Sequence, residues 1–341
     1  MARWQALQAY ILTRLLLAPL MLWTVVTVVF LLLRATPGDP VDAMFGGRVP
    51  EAVRAELRTQ LGLDQPLFLQ YLAYLGNLLR FDLGDSLTDQ GQTVVQIIGE
   101  HLPATVELAM ASFGVAAGLG IAVGILTGAK PGTGLDLAGR LFSIVTYALP
   151  LFWVGMLAQL LFAVNLGWLP LGTRYPVQGL PPAGPTGLYV LDSLLTGNLD
   201  QLATSLRHLL LPSLTLGLVL SGIFERIVRV NLRQALQADY VEAARARGIP
   251  ERRILVNHAL RNALIPVITI LGLTLASLLG GAVLTEVTFS WPGLANRLYE
   301  AISLRDYPTV QGIVVFFGLV VVVLSLAIDV LTALVDPRVR Y

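Results

Sequence analysis

The chain has 341 residues, of which 55% are hydrophobic and 13% charged, with three histidines, no cysteine and a formal net charge of +1. Soluble domains carry about twice that charged fraction, so most of this surface must face lipid or other helices. The charge balance leaves no nucleic-acid footprint, and the missing cysteines exclude disulfides, iron–sulfur clusters and thiol chemistry.

The first apolar run, Leu15–Leu33, is near the roughly 20 residues that a bilayer requires. No small-x-small cleavage site follows it, only Arg34-Ala35-Thr36-Pro37-Gly38-Asp39-Pro40. It therefore reads as an uncleaved span rather than a signal peptide. In the long segment that follows, Pro50–Leu61 sets Val53, Leu57 and Leu61 on one face of an amphipathic helix. Residues 63–87 interleave leucines and Tyr71 with few charges, as a helix lying on the outer membrane surface would. Further spans are expected over Leu102–Gly128, Leu141–Val164, Leu209–Val230, Leu264–Val287 and Val310–Leu334. Pro150 breaks the third, Pro212 opens the fourth and Pro266 begins the fifth. The second outer loop, 167–207, starts rich in proline and glycine and reads as irregular. The third, Ser290-Trp291-Pro292-Gly293-Leu294, turns after span five with Trp291 as an interfacial anchor.

Six spans place both termini on one face. Of the 23 basic residues, 14 fall on the side of the termini and nine on the other. Four of those nine lie in a segment too long for the positive-inside rule to count. Both termini and the loop after span four are thereby cytoplasmic.

That loop, 237–266, holds five of the basic residues: Arg245, Arg247, Arg252, Arg253 and Arg261. Charge alone makes it an ordinary solvated loop, but its punctuation predicts two short helices. Asp239 can cap the first, with Glu242 reaching back to complete a capping box. Gly248 suits a helix C-terminus at positive φ, and Pro250 suits the first turn of a second helix.

Sites of chemistry are hard to find. Lys130 is the only lysine and follows Ala129, so there is no Walker A loop. His101, His208 and His258 are too scattered for a metal site, and no G-x-S-x-G elbow occurs. Catalysis is not expected. Acidic side chains in or beside the apolar runs are functional candidates by default, here Glu107, Glu225, Glu286 and Asp329. Arg229, four residues after Glu225, favours a local ion pair there. Gly272, Ala276, Ser277, Gly280 and Gly281 form a small-residue face in span five that suits close packing and pore lining equally.

Glu242-Ala243-Ala244 followed by Gly248 resembles the "EAA" loop of ABC-importer permeases. The continuation His258-Ala259-Leu260-Arg261, with proline only at Pro266, departs from the general pattern and is similar to the dipeptide/oligopeptide branch. The resemblance extends through Pro37-Gly38-Asp39-Pro40, Leu61-Gly62-Leu63-Asp64, Gly84-Asp85-Ser86-Leu87, Phe152-Trp153 and Leu166-Gly167-Trp168-Leu169-Pro170 to Asp336-Pro337-Arg338-Val339-Arg340. It implies an all-α membrane protein of the type I ABC importer permease fold, with six transmembrane helices and both termini cytoplasmic. Residues 1–94 would be a first span plus a long extracytoplasmic segment, and 95–341 a five-helix core carrying the loop 237–266.

The implied partners are a second homologous permease, two cytoplasmic ATPases that hold ATP and Mg, and an extracytoplasmic substrate-binding protein. All would assemble in a bacterial inner membrane, with no cofactor in this chain. Asp239, Tyr240, Glu242, Ala243, Ala244 and Gly248 would form the ATPase-coupling helix, the two alanines letting it seat in a groove. Asp64, Asp85, Trp291 and Gly293 would meet the binding protein. The implied cargo is a di- or oligopeptide, though relatives of this branch carry nickel complexes, glutathione or sugars. The contrasting reading is a stand-alone secondary carrier. It predicts ionisable groups at mid-membrane and repeat symmetry, and neither is legible.

Overall fold

In lipid, backbone groups must be satisfied within the chain, which restricts spanning structures to helices and closed barrels. The computed structural model describes residues 2–36, 41, 50–60, 62–89, 91–280 and 282–335. Helices dominate, and the only strand-like pairing among the described residues is an isolated bridge between Asp85 and Thr93.

Helix α1 (Ala2–Ala35) is followed by α2 (Glu51–Gln60) and α3 (Leu67–Leu79). The amphipathic helix and the apolar helix expected before span two are thus both present. Next comes α4 (Val94–Gly128), which starts eight residues ahead of the expected Leu102. Its start is set by a capping box: the Gln96 N–H donates to Thr93 Oγ1 (3.2 Å) and the Thr93 N–H to Gln96 Oε1 (2.9 Å). Helices α5 (Gly134–Ala148) and α6 (Leu151–Asn165) meet at a 97° bend, so Pro150 does break this segment. A loop with one short helix, α7 (Tyr189–Leu195), leads to α8 (Leu199–Leu236).

Pro212 lies inside α8 rather than opening it. The true start is Asn198, whose side chain accepts from the Gln201 N–H (3.1 Å). An interior proline costs about 3 kcal/mol, and it is outweighed here by burial along a seam with α4. Gly120, Gly124 and Gly128 recur every fourth residue on that seam. A Cβ on Gly120 would sit 2.6 Å from Phe224 Cβ, and one on Gly124 2.7 Å from Val228 Cβ. Only glycine lets the two backbones approach this closely.

The loop helices α9 (Asp239–Ala246) and α10 (Glu251–Ala263) come next. Then follow α11 (Ile265–Leu279), α12 (Val283–Thr288), α13 (Leu294–Ser303) and α14 (Tyr307–Val335). Pro266 sits in the first turn of α11, as expected. Among the described residues four helices are long and apolar enough to cross a bilayer alone, and the two bent pairs, α5–α6 and α10–α11, bring the total to as many as six. Residues such as Leu16 (71% exposed) and Leu32 (62%) would be costly in water and suit contact with hydrocarbon.

Candidate functional site

Two residues separate the end of α8 from α9. Val241 and Ala244 turn inward onto Ile254, with Ile249 beside them, and form a small apolar core inside the loop itself. Asp239, Tyr240, Glu242 and Ala243 are exposed. The turn between α9 and α10 is a Schellman motif. The Ile249 N–H donates to the Ala244 carbonyl (3.2 Å) and the Gly248 N–H to the Arg245 carbonyl (2.9 Å), with Gly248 at φ +75°. Arg245 Nε reaches across the turn to Glu251 Oε1 (2.7 Å). The second leg, π-wound over Ile254–Leu260, packs Ala259 and Ala263 against Leu232 of α8. The loop is therefore folded and fastened to the last turns of α8.

Two expectations are corrected here. No capping box forms: the N-cap is Ala238, whose side chain cannot accept, and Asp239 is already the first helical residue. An acid there still favours the helix through its dipole, while Glu242 is left pointing outward. Ala244 does not offer its methyl to a partner, because it is buried at 6% exposure in the loop's own core. Pro250 stands one position before α10, as its N-cap.

The small-residue face of α11 divides. Gly272 packs against Ile328 of α14, and a Cβ on Gly280 would lie 3.4 Å from Val321. Ala276, between them at four-residue spacing, is buried. Ser277 instead joins Thr274, Leu151, Leu216, Leu220 and Leu284 around a cavity of 340 Å³. Gly281 lies outside the described residues, as do Pro37–Pro40, Leu61 and Asp336–Arg340.

At the end of the bundle away from the loop, Asp64 is exposed and accepts from Thr59 Oγ1 (2.9 Å) and Arg58 Nε (3.2 Å). Asp85 is exposed beside its bridge partner Thr93. Trp291 is no interfacial anchor: it is 0% exposed, and its Nε1 donates to the Ala104 carbonyl (2.8 Å). Gly293 is also buried, because a Cβ there would run into the Glu286 carboxyl. Neither residue reaches the surface of this chain. Glu286 accepts from Thr105 Oγ1 (2.7 Å) and the Asn296 N–H (2.8 Å). Glu107 accepts from Arg174 Nε (2.8 Å) and the Val190 N–H (2.7 Å), tying the second loop to α4. Asp329 pairs with Arg14 (3.4 Å).

Just ahead of α14, Asp306 gathers Ser86 Oγ, Thr88 Oγ1 (2.9 Å), Thr309 Oγ1 (2.8 Å) and the Leu87 N–H (3.2 Å). Burial would push its carboxyl up, but these hydrogen bonds outweigh burial and hold it below the usual range.

The Glu225–Arg229 pair forms at 2.9 Å, but it is part of something larger that the sequence concealed. Thr127 Oγ1 of α4 (2.9 Å) and Ser143 Oγ of α5 also donate to Glu225. Arg229 and Arg233 approach Asp136 at 3.6 and 3.5 Å, and Arg140 Nη2 donates to it at 2.7 Å. The four-residue spacings of Asp136 and Arg140 and of Glu225 and Arg229 signal each half of this cluster, but not their union, since the halves lie some 90 positions apart.

These features define a polytopic helical membrane protein with a folded projection between two of its helices. The description "Binding-protein-dependent transport system inner membrane component" matches residues 120–341, and its N-terminal companion matches residues 7–109. The chain is 40% identical to the di/tripeptide transport system permease protein DppB of Pseudomonas aeruginosa (strain UCBPP-PA14), over 92% of this chain and 93% of the relative. It is 35% identical to the dipeptide transport system permease protein DppB of Alkalihalophilus pseudofirmus, over 98% and 99% of the two chains. It is 34% identical to the oligopeptide transport system permease protein AppB of Bacillus subtilis (strain 168), again over 98% and 99%. The chain belongs to the family of binding-protein-dependent transport system inner membrane components, the multi-pass permease subunits of multi-component transporters.

Proposed function

We propose that this chain forms half of the membrane path of an ATP-driven importer for dipeptides or short oligopeptides. The observation that carries the reading is the two-sided α9: Val241 and Ala244 fold the projection, while Tyr240, Glu242 and Ala243 are left outward as a surface that no other described residue covers. A loop held by its own core is rigid enough to receive a push and to pass it to α8. The peptide cargo is supported by the relatives' names and by cavity walls that are apolar apart from the Thr274 and Ser277 hydroxyls.

In this reading six spans leave both termini in the cytoplasm of a bacterial cell. A second permease completes the path. Two ATPases dock on the α9 surfaces and hold ATP and Mg, and a binding protein delivers cargo to the opposite face, where Asp64 and Asp85 are exposed. The test is Ala243→Trp in the assembled transporter reconstituted in vesicles. The loop should stay folded, because Ala243 is exposed, while the ATPases dissociate and ATP-driven peptide uptake falls to background. Wild-type uptake by this variant would refute the docking role. Uptake of a nickel complex, glutathione or a sugar in place of peptide would refute the cargo.

A further inference from the structure

Three helices converge on one buried polar cluster just before the projecting loop. Glu225 (0% exposed) and Asp136 (1%) are its acceptors. Glu225 belongs to α8 but takes a hydroxyl from α4 and another from α5. Asp136 opens α5, accepts from the Gly132 N–H (3.1 Å) and from Arg140, and faces two arginines of α8. Arg229 lies between the two carboxylates, 2.9 Å from Glu225 and 3.6 Å from Asp136. Close glycine contacts reinforce the same pairing. Gly139 abuts Glu225 and Thr127, and Gly222 abuts Thr146.

We infer that Asp136 and Glu225 are positioning residues of the transport cycle: through Arg229 and Arg233 they clasp α5 to α8, so that displacement of the loop moves α5 as well. The inference rests on the proposed importer function. Apolar packing resists separation but lets helices slide along each other, because hydrophobic attraction is non-directional. A desolvated carboxylate bridged by guanidinium groups has one good geometry, and leaving either charge unpaired is costly. The clasp sits one to three turns before Leu236, where the loop is fastened through Leu232, Ala259 and Ala263. Helix α5 depends on such a tie because the 97° bend separates it from α6 and leaves it a short independent lever.

The test uses the assembled transporter in vesicles, scoring peptide imported per ATP hydrolysed. A second readout is the distance between labels at Leu137→Cys on α5 and Ala246→Cys on α9, which is simple in a chain without native cysteine. In the wild type that distance should hold across nucleotide states. Asp136→Asn and Glu225→Gln should lower import per ATP by about tenfold and make the distance vary with nucleotide, while Asp136→Glu should recover most of both. Unchanged import per ATP, or import and hydrolysis falling in proportion, would overturn the clasp. Should neither variant assemble, Ser143→Ala keeps both charges and removes one α5 bond. About threefold lower import per ATP is expected there, and no change overturns the proposal. A wild-type complex that hydrolyses ATP without importing peptide would sink the importer reading instead, and the label distance would still judge the clasp.

Discussion

Where the loop projects, Glu225 and Asp136 join whole helices to one another through guanidinium groups. At the opposite end, Asp306, Glu286 and Glu107 join loops to helices, mostly through hydroxyls and backbone N–H groups. The second arrangement fixes the shape of turns; the first fixes how long rods travel together. Damage at the far end should therefore appear as lost stability, and damage at the loop end as lost coupling in a protein that is still folded.

The largest break in that comparison comes from Trp291→Ala. It empties a fully buried site and removes the indole bond to the Ala104 carbonyl, so a loss of about 3–5 kcal/mol is expected, read as a lower thermal midpoint in detergent. Intact stability would mean that the far-end turn does not hold the fold.

Ala244→Trp comes next, because the loop core has no room for an indole. Overpacking costs about 1–3 kcal/mol, and limited proteolysis should cut 239–260 while the spans stay protected. Gly248→Val should act on the same segment through backbone alone. Nothing lies within 4 Å of a Cβ there, so the penalty is that of φ +75°, roughly 1–2 kcal/mol. Import should fall in both variants with the thermal midpoint of the bundle nearly unchanged. Wild-type import in either variant would make the loop a passive connector.

A smaller effect is expected from pH. Asp306 has a lowered folded pKa, so its stabilisation is complete above the ordinary carboxylate value of about 3.9 and fades as pH falls through the lower folded value. Hydrogen-exchange protection factors at 82–89 should be constant from pH 7 to about 5 and fall only in stronger acid. Opening of that segment at pH 6 would contradict the clamp. Least of all, Arg245→Ala removes a solvent-exposed pair and should change neither stability nor import measurably.

Much of this architecture was legible because membrane spans and glycine turns are written locally. Gly248 stood where a left-handed residue had to be, and Pro150 and Pro266 marked a break and a start. The failures have two causes: a neighbouring position takes the role, or something distant in sequence outweighs the local signal. Pro212 looked like a helix start because the true cap, Asn198, lies in a polar stretch upstream. Asp239 looked like a cap because the rule cannot tell the N-cap from the next residue. Trp291 looked interfacial because tryptophans near Pro-Gly turns often are, and nothing nearby announced the Ala104 carbonyl. Asp136 is hidden from a reading along the chain because two of its partners, Arg229 and Arg233, belong to α8.

The sharp turn between α5 and α6 has a consequence in terms of hydration. Pro150 has no N–H, and a helix that stops and restarts leaves its last carbonyls and first N–H groups without helical partners. Around 146–153 those groups would cost several kcal/mol each if they met hydrocarbon. Leu151, at the restart, also lines the 340 Å³ cavity. This flank must therefore be wetted or covered by protein rather than bathed in lipid.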